Sequence, residues 1–151
     1  NCGKAKGCEG ALICGPAVVA EFLNKRGRGF IFSTAPSPLM AAVIRASLGL
    51  LQNAPELRNS LWRRIRLAEE VVAPLGATVT GTQILPLVIG DDARTMVLAT
   101  NIQKAGFDVR GIRPPTVPAG TSRLRITITN NASEEQIIAL ADLVADMNIA
   151  A

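Results

Sequence analysis

The sequence has no histidine and no tyrosine, and aromatic residues fill only 3% of its 151 positions. Without histidine, neither a Ser-His-Asp nor a Cys-His nucleophile system can be assembled from these residues. The shortage of aromatics leaves an aliphatic core. It also excludes the surface of rings and cations on which single-stranded nucleic acid stacks. Cysteine is sparse. Cys2, Cys8 and Cys14 leave a structural zinc one ligand short, and no histidine supplies the fourth, so no metal is expected. An odd thiol count without a secretion signal points to reduced cysteines, buried or half-buried, in a cytoplasmic protein. Long apolar runs are missing as well. The best candidate, Leu39 to Leu51, is broken by Arg45 and is too short for a bilayer, so no membrane partner is expected. No pair of catalytic carboxylates stands out, and the glycines match neither a P-loop nor a dinucleotide fingerprint.

What remains is ordinary for a globular chain, with 48% hydrophobic and 19% charged residues. The length suits one domain or parts of two. A net charge of +4 permits an anionic ligand without requiring nucleic acid. The sequence opens at Asn1 rather than at a methionine and is read as part of a longer chain.

Periodicity organises the chain. Gly3, Gly7 and Gly10 suit a tight turn with backbone amides exposed to a neighbour. Ala11 to Cys14, short and apolar between glycines, predicts a buried strand. Pro16 suits the first turn of a helix ending near Lys25. Phe30 to Ser33 is β-prone and is broken by Ala35-Pro36-Ser37-Pro38. Leu39 to Gln52 is apolar nearly all round, which predicts a helix buried on most sides. A second helix is expected from Pro55 to Val72, with Leu57, Leu61, Ile65, Ala68 and Val72 inward and Trp62-Arg63-Arg64 on a solvated face. Then strand and helix alternate. Ile84 to Ile89 is an edge strand by virtue of Pro86, Asp92 to Lys104 a helix closed by Gly106, and Phe107 to Ile112 a strand. Arg113 to Gly120 reads as a stiff extended loop. Arg123 to Thr129 alternates strictly, with Leu124, Ile126 and Ile128 on one face. Ser133 and Gln136 form a capping box for a last helix with Ile137, Leu140, Val144 and Met147 inward. The expected fold is a small α/β sandwich with helices on one face of a sheet, preceded by part of something larger.

A few residues suit chemistry. Lys4, between Gly3 and Gly7, would be a nucleophilic amine toward an aldehyde if desolvated; a solvated surface lysine fits the same residues. Arg125, on the polar face of a strand, offers a rigid fork to a carboxylate. An exposed charge that blocks edge pairing fits equally, and Arg123 shares the face. Thr116 is a ligand contact or a turn residue. Ser33 and Thr34 are hydroxyls for a phosphate, or a helix cap.

Four segments in order narrow the choice. They are Gly3-Lys4-Ala5-Lys6-Gly7 with Glu9-Gly10-Ala11, Phe30-Ile31-Phe32-Ser33-Thr34-Ala35-Pro36, Ile112 to Thr121 (IRPPTVPAGT), and Arg123 to Thr129 (RLRITIT). Together they resemble the α-oxoamine synthases over nearly the whole chain, and the IRPPTVP wording resembles the biotin-pathway branch. The resemblance implies an aspartate-aminotransferase-like, pyridoxal-phosphate α/β fold and a homodimer. Residues 1–52 would close its large domain, and 53–151 would form the small C-terminal domain. By the same resemblance, Lys4 holds pyridoxal phosphate as a Schiff base and acts as the catalytic base. Arg125 binds the substrate carboxylate, with Thr116 near it. Ser33 and Thr34 reach the cofactor phosphate of the neighbouring subunit.

The implied reaction condenses L-alanine with pimeloyl-CoA and releases CO2 and CoA. Sister enzymes use glycine or another acyl-CoA, and a non-catalytic binding module is the alternative of a different class. Asn1 stands where many relatives carry a hydroxyl residue, and Lys6 where an apolar one is usual. The family's ring-stacking histidine and ring-nitrogen aspartate lie upstream of the lysine, so these residues alone are expected to be inactive.

Overall fold

The computed structural model describes residues 2–4 and 6–147. The chain divides into two compact units, Asn1–Pro55 and Glu56–Ala151.

The first unit begins with a closed loop. The Cys2 amide donates to the Gly10 carbonyl at 2.8 Å, the Cys8 amide to the Cys2 carbonyl at 3.2 Å, and the Gly7 amide to the Lys4 carbonyl at 2.9 Å. Gly7 and Gly10 take left-handed φ values of 64° and 94°, where a side chain would be strained. Residues 11–14 are not the expected strand. They run as irregular chain, with Leu12 and Ile13 exposed. A strand exists only by pairing, and the described residues of this unit contain no strand to pair with. Helix α1 spans Ala17–Arg26 and begins directly after Pro16.

Residues 30–33 form turns rather than β structure. The Phe30 and Ile31 amides both donate to the Gly27 carbonyl at 2.9 Å, and Phe32 has φ 62°, which no strand allows. Helix α2 spans Pro38–Asn53, with the Ser37 hydroxyl accepting the Leu39 amide at 3.2 Å. None of its residues is buried, and Leu39 and Leu50 are 65% and 67% exposed. An apolar pattern records what a helix packs against. It does not require the covering layer to lie in the same unit.

The second unit is a two-layer α/β sandwich. Helix α3 (Pro55–Val72) leads through a short 3₁₀ turn to strand β1 (Ile84–Gly90), helix α4 (Asp92–Lys104), strand β2 (Arg110–Ile112), strand β3 (Ser122–Thr127) and helix α5 (Glu134–Asp146). The sheet is antiparallel in the order β1-β3-β2, so β1 is an edge strand, as Pro86 predicts. Leu85, Leu87, Leu124, Ile126 and Ile128 point to one face. They meet Ile65, Ala68 and Val72 of α3, Leu98 and Ile102 of α4, and Ile137, Leu140 and Val144 of α5. β2 is shorter than the expected Phe107 to Ile112. The chain leaving α4 is held by the Phe107 amide on the Ile102 carbonyl and the Val109 amide on the Phe107 carbonyl, which removes those residues from the ladder.

Caps fix the helix ends. The Asp91 carboxylate accepts the Arg94 amide at 2.7 Å, and Ser133 and Gln136 exchange both bonds of the capping box at 3.2 and 2.9 Å. Arg64 is half-buried rather than solvated. Its Nε donates to the Ala132 carbonyl at 2.7 Å and ties the entry of α5 to α3. Gly111 lets α4 rest on β2, because a Cβ there would lie 2.9 Å from Met96 Sδ and 3.3 Å from Ala99 Cβ.

Leu124→Ala is expected to cost about 2–5 kcal/mol in urea titration, and Thr127→Ala, on the outer face of the same strand, less than about 0.5 kcal/mol. Equal losses would contradict the register. A second expectation concerns acid. The Ser133 hydroxyl, then the backbone amide of Glu135 and more weakly Arg64, hold the Glu135 carboxyl below its ordinary 4.5. A depressed carboxylate contributes stability above its unfolded pKa and loses it as pH falls through the folded value. The stability gap between the parent and Glu135→Gln is therefore expected to narrow below pH 4.5. A gap unchanged with pH in acid denaturation curves would refute that contribution.

Candidate active site

Lys4 sits in the loop closed by the Cys2–Gly10 and Cys8–Cys2 backbone bonds, with its own carbonyl capped by the Gly7 amide. Its side chain is exposed, so the desolvation expected for a reactive lysine is not supplied within these residues. Among the described residues no acidic group pairs with the ammonium. Lys6 differs: it is half-buried, and its carbonyl accepts the Ser47 hydroxyl of α2 at 3.0 Å. Asn1 lies outside the described residues. Cys2 and Cys8 are buried and Cys14 is exposed. Burial, and then the neighbouring Cys2 thiol, push the Cys8 thiol up from its ordinary value.

Ser33 and Thr34 are exposed and follow the left-handed Phe32. Neither caps α2, since Ser37 does so. The Ser33 hydroxyl donates to the Gly29 carbonyl at 3.1 Å, so its proton is already committed. Thr34 is the freer donor of the two.

Arg125 lies at the centre of the second unit's sheet, on β3. Its neighbours Leu124 and Ile126 point into the core, so the pleat sends its guanidinium to the outer face. It has no side-chain partner among the described residues. Arg123 does not share that freedom, because its Nε is spent on the Thr121 carbonyl at 2.9 Å and it is half-buried. The structure thus separates two arginines that the sequence left equivalent. Thr116 is exposed in the loop from Arg113 to Gly120. That loop is a pair of linked turns rather than extended chain. The Thr116 amide donates to the Arg113 carbonyl at 3.0 Å, the Thr121 amide to the Pro118 carbonyl at 3.2 Å, and the Pro114–Pro115 bond is cis.

One residue was not singled out by sequence reasoning. Arg110 of β2 stands directly across from Arg125, and its like charge is offset by Asp108, 2.7 Å from its Nε. Only strand register brings the two arginines side by side, so nothing in linear spacing marks them. Both border a cleft of about 950 Å³ at the point where β2 stops short of β3, with Phe107, Ile126, Ile128 and Leu140 supplying apolar lining. The arrangement presents a cationic fork beside apolar surface, which suits a small carboxylate. Among the described residues no group of acidic and cysteine side chains is placed to hold a metal ion, and no helix is long and apolar enough to cross a membrane.

The 8-amino-7-oxononanoate synthase of Sodalis glossinidius (strain morsitans) is 40% identical over 149 residues, covering 97% of this chain and 38% of the relative. That of Serratia marcescens is 37% identical over 148 residues, covering 97% and 39%. The chain thus spans about two fifths of the length of these relatives. Among solved structures, the serine palmitoyltransferase of Sphingomonas wittichii superposes with a TM-score of 0.84 at 23% identity, covering 97% of this chain and 38% of that one. The 8-amino-7-oxononanoate synthase of Francisella tularensis gives 0.83 at 22%, covering 97% and 43%. A structure of SPT with its PLP internal aldimine gives 0.85 at 22%, covering 97% and 38%. These structures share the fold. The model of aminotransferases of class I and II matches residues 2–144, nearly the whole chain and both of its units, and the chain belongs to that family.

Proposed function

We propose that the protein carrying this chain is a pyridoxal-phosphate enzyme that condenses L-alanine with pimeloyl-CoA to 8-amino-7-oxononanoate, releasing CoA and CO2, a step of biotin formation. The observation that carries this reading is 40% identity to a synthase of that name across 97% of the chain, with Lys4 standing exposed in a glycine-bounded loop. The protein acts as a homodimer in the cytoplasm. Residues 1–52 complete its large domain and residues 53–151 form the small one.

The residues present fit the cofactor. An exposed amine without an acidic partner among the described residues suits condensation with an aldehyde. The Thr34 hydroxyl, and Ser33 once it releases Gly29, suit a phosphate. Pyridoxal phosphate, when bound, supplies the aldehyde that Lys4 holds and an electron sink for the α-carbon of the amino acid. Lys4 then takes the α-proton of alanine as general base. Arg125 pairs with the alanine carboxylate through its fork and fixes which bond of the α-carbon faces the base. Thr116 donates a hydroxyl to the same carboxylate. The loop amides around Lys4 hold its backbone in place, so that only the side chain moves between these tasks.

Reduction of the full-length protein with borohydride in the presence of pyridoxal phosphate is expected to leave a phosphopyridoxyl group on Lys4 in peptide mapping. Lys4→Ala is expected to lose both that label and all turnover. A label on Lys6 alone, or full activity of the variant, would refute the assignment. Arg125→Lys is expected to raise the KM for L-alanine by about 10- to 100-fold, the loss of a charge-assisted pair worth roughly 1.5–3 kcal/mol. An unchanged KM would move the carboxylate site elsewhere. Pimeloyl-CoA outpacing other acyl-CoA thioesters, with alanine over glycine, distinguishes this reaction from that of a sister synthase. Residues 1–151 alone are expected to show no turnover.

A further inference from the structure

The loop that carries Lys4 is bracketed by two cysteines that the proposed reaction does not use. Cys2 and Cys8 lie six positions apart, yet the Cys8 amide donates to the Cys2 carbonyl at 3.2 Å, so their backbones adjoin. The bond from the Cys2 amide to the Gly10 carbonyl at 2.8 Å holds the same end of the loop from the other side. Both side chains are buried, with Cys2 0% and Cys8 8% exposed. Cys14, the third cysteine, is exposed and separate. A buried thiol is an ordinary small apolar residue, but two buried thiols on adjoining backbone at the ends of a short closed loop are the arrangement a disulfide requires.

We propose that Cys2 and Cys8 form a reversible thiol–disulfide site that closes the Lys4 loop covalently. The oxidant is a low-molecular-weight disulfide such as oxidised glutathione. Cys8, the less covered of the two, loses its proton and attacks one sulfur of that disulfide, expelling one thiol and leaving a mixed disulfide on the protein. Cys2 loses its proton and attacks the Cys8 sulfur, expelling the second thiol. In sum, two protein thiols are oxidised to one S–S bond while one small disulfide is reduced to two small thiols. The bridge encloses Gly3 to Gly7, with Lys4 inside the ring.

The test uses the full-length protein, reduced and then incubated with oxidised glutathione, with intact mass and peptide mapping under non-reducing conditions. The expected result is loss of two hydrogen masses, a peptide cross-link between Cys2 and Cys8, and restoration by dithiothreitol. Cys14→Ser is expected to retain the cross-link. Cys8→Ser is expected to lose it, and its near-isosteric hydroxyl leaves the loop folded, so the loss reports the thiol. No cross-link in the parent after prolonged incubation, a bridge involving Cys14, or glutathione adducts that never resolve into a bridge would each overturn the proposal. The readout is mass alone and does not depend on whether the protein turns over alanine.

Discussion

Strand β3 is the constraint on which the second unit depends. Among the described residues it is the central strand of three, paired on both sides, and the one whose inner residues all lie in the core. Leu124, Ile126 and Ile128 are each 4% exposed or less, and helices α3, α4 and α5 all pack on the face they form. Because side chains alternate with a period of two, the burial that holds these three inward also holds Arg125 outward. A slip of one residue would bury a guanidinium and expose the core, at a cost far above the stability of a small domain. The position of the arginine is therefore fixed by the hydrophobic effect acting on its neighbours. No contact of its own is needed.

The same logic explains what could be read in advance. Strict alternation from Arg123 to Thr129, helical spacing from Leu57 to Val72 and the Ser133–Gln136 box are local patterns, and each corresponds to an element of the second unit, although Leu57, expected inward, is 55% exposed at the start of its helix. What could not be read was pairing. The linear sequence does not say that Arg110 stands across from Arg125, that Arg123 spends its Nε on the Thr121 carbonyl, or that Arg64 reaches the Ala132 carbonyl 68 positions away. Those facts arise only when separate segments meet. They are also what distinguish a free arginine from a structural one.

In the first unit the reading failed for a related reason. Residues 11–14 and 30–33 have β composition, but composition states a preference for a pleated surface and cannot provide one. With no paired strand among the described residues, the first segment stays irregular, and the second is turned by the amides on Gly27 and by the positive φ of Phe32. Helix α2 shows the complementary case, since its apolar periphery predicts burial that its own unit does not provide. The hydroxyls Ser33 and Thr34 were legible as a pair. Their inequality was not, because it rests on one hydrogen bond to the Gly29 carbonyl.

The Lys4 loop combines two demands that seldom coincide. In the role proposed for Lys4, a lysine needs a mobile side chain on a backbone that does not move, or the amine is lost from register. Here the backbone is held by three hydrogen bonds within ten residues, with glycines at the two positions where φ is left-handed, while the side chain stands in the open. Hydrogen bonds of this kind are individually weak and open on their own timescale, so a loop built only on them is rigid on average and soft in its extremes. A thiol pair at the ends of such a loop lies where a covalent bond would remove the open states. That follows from the loop's construction: the segment whose shape matters most to the lysine is closed by contacts between Cys2, Cys8 and Gly10, and two of those three residues carry sulfur.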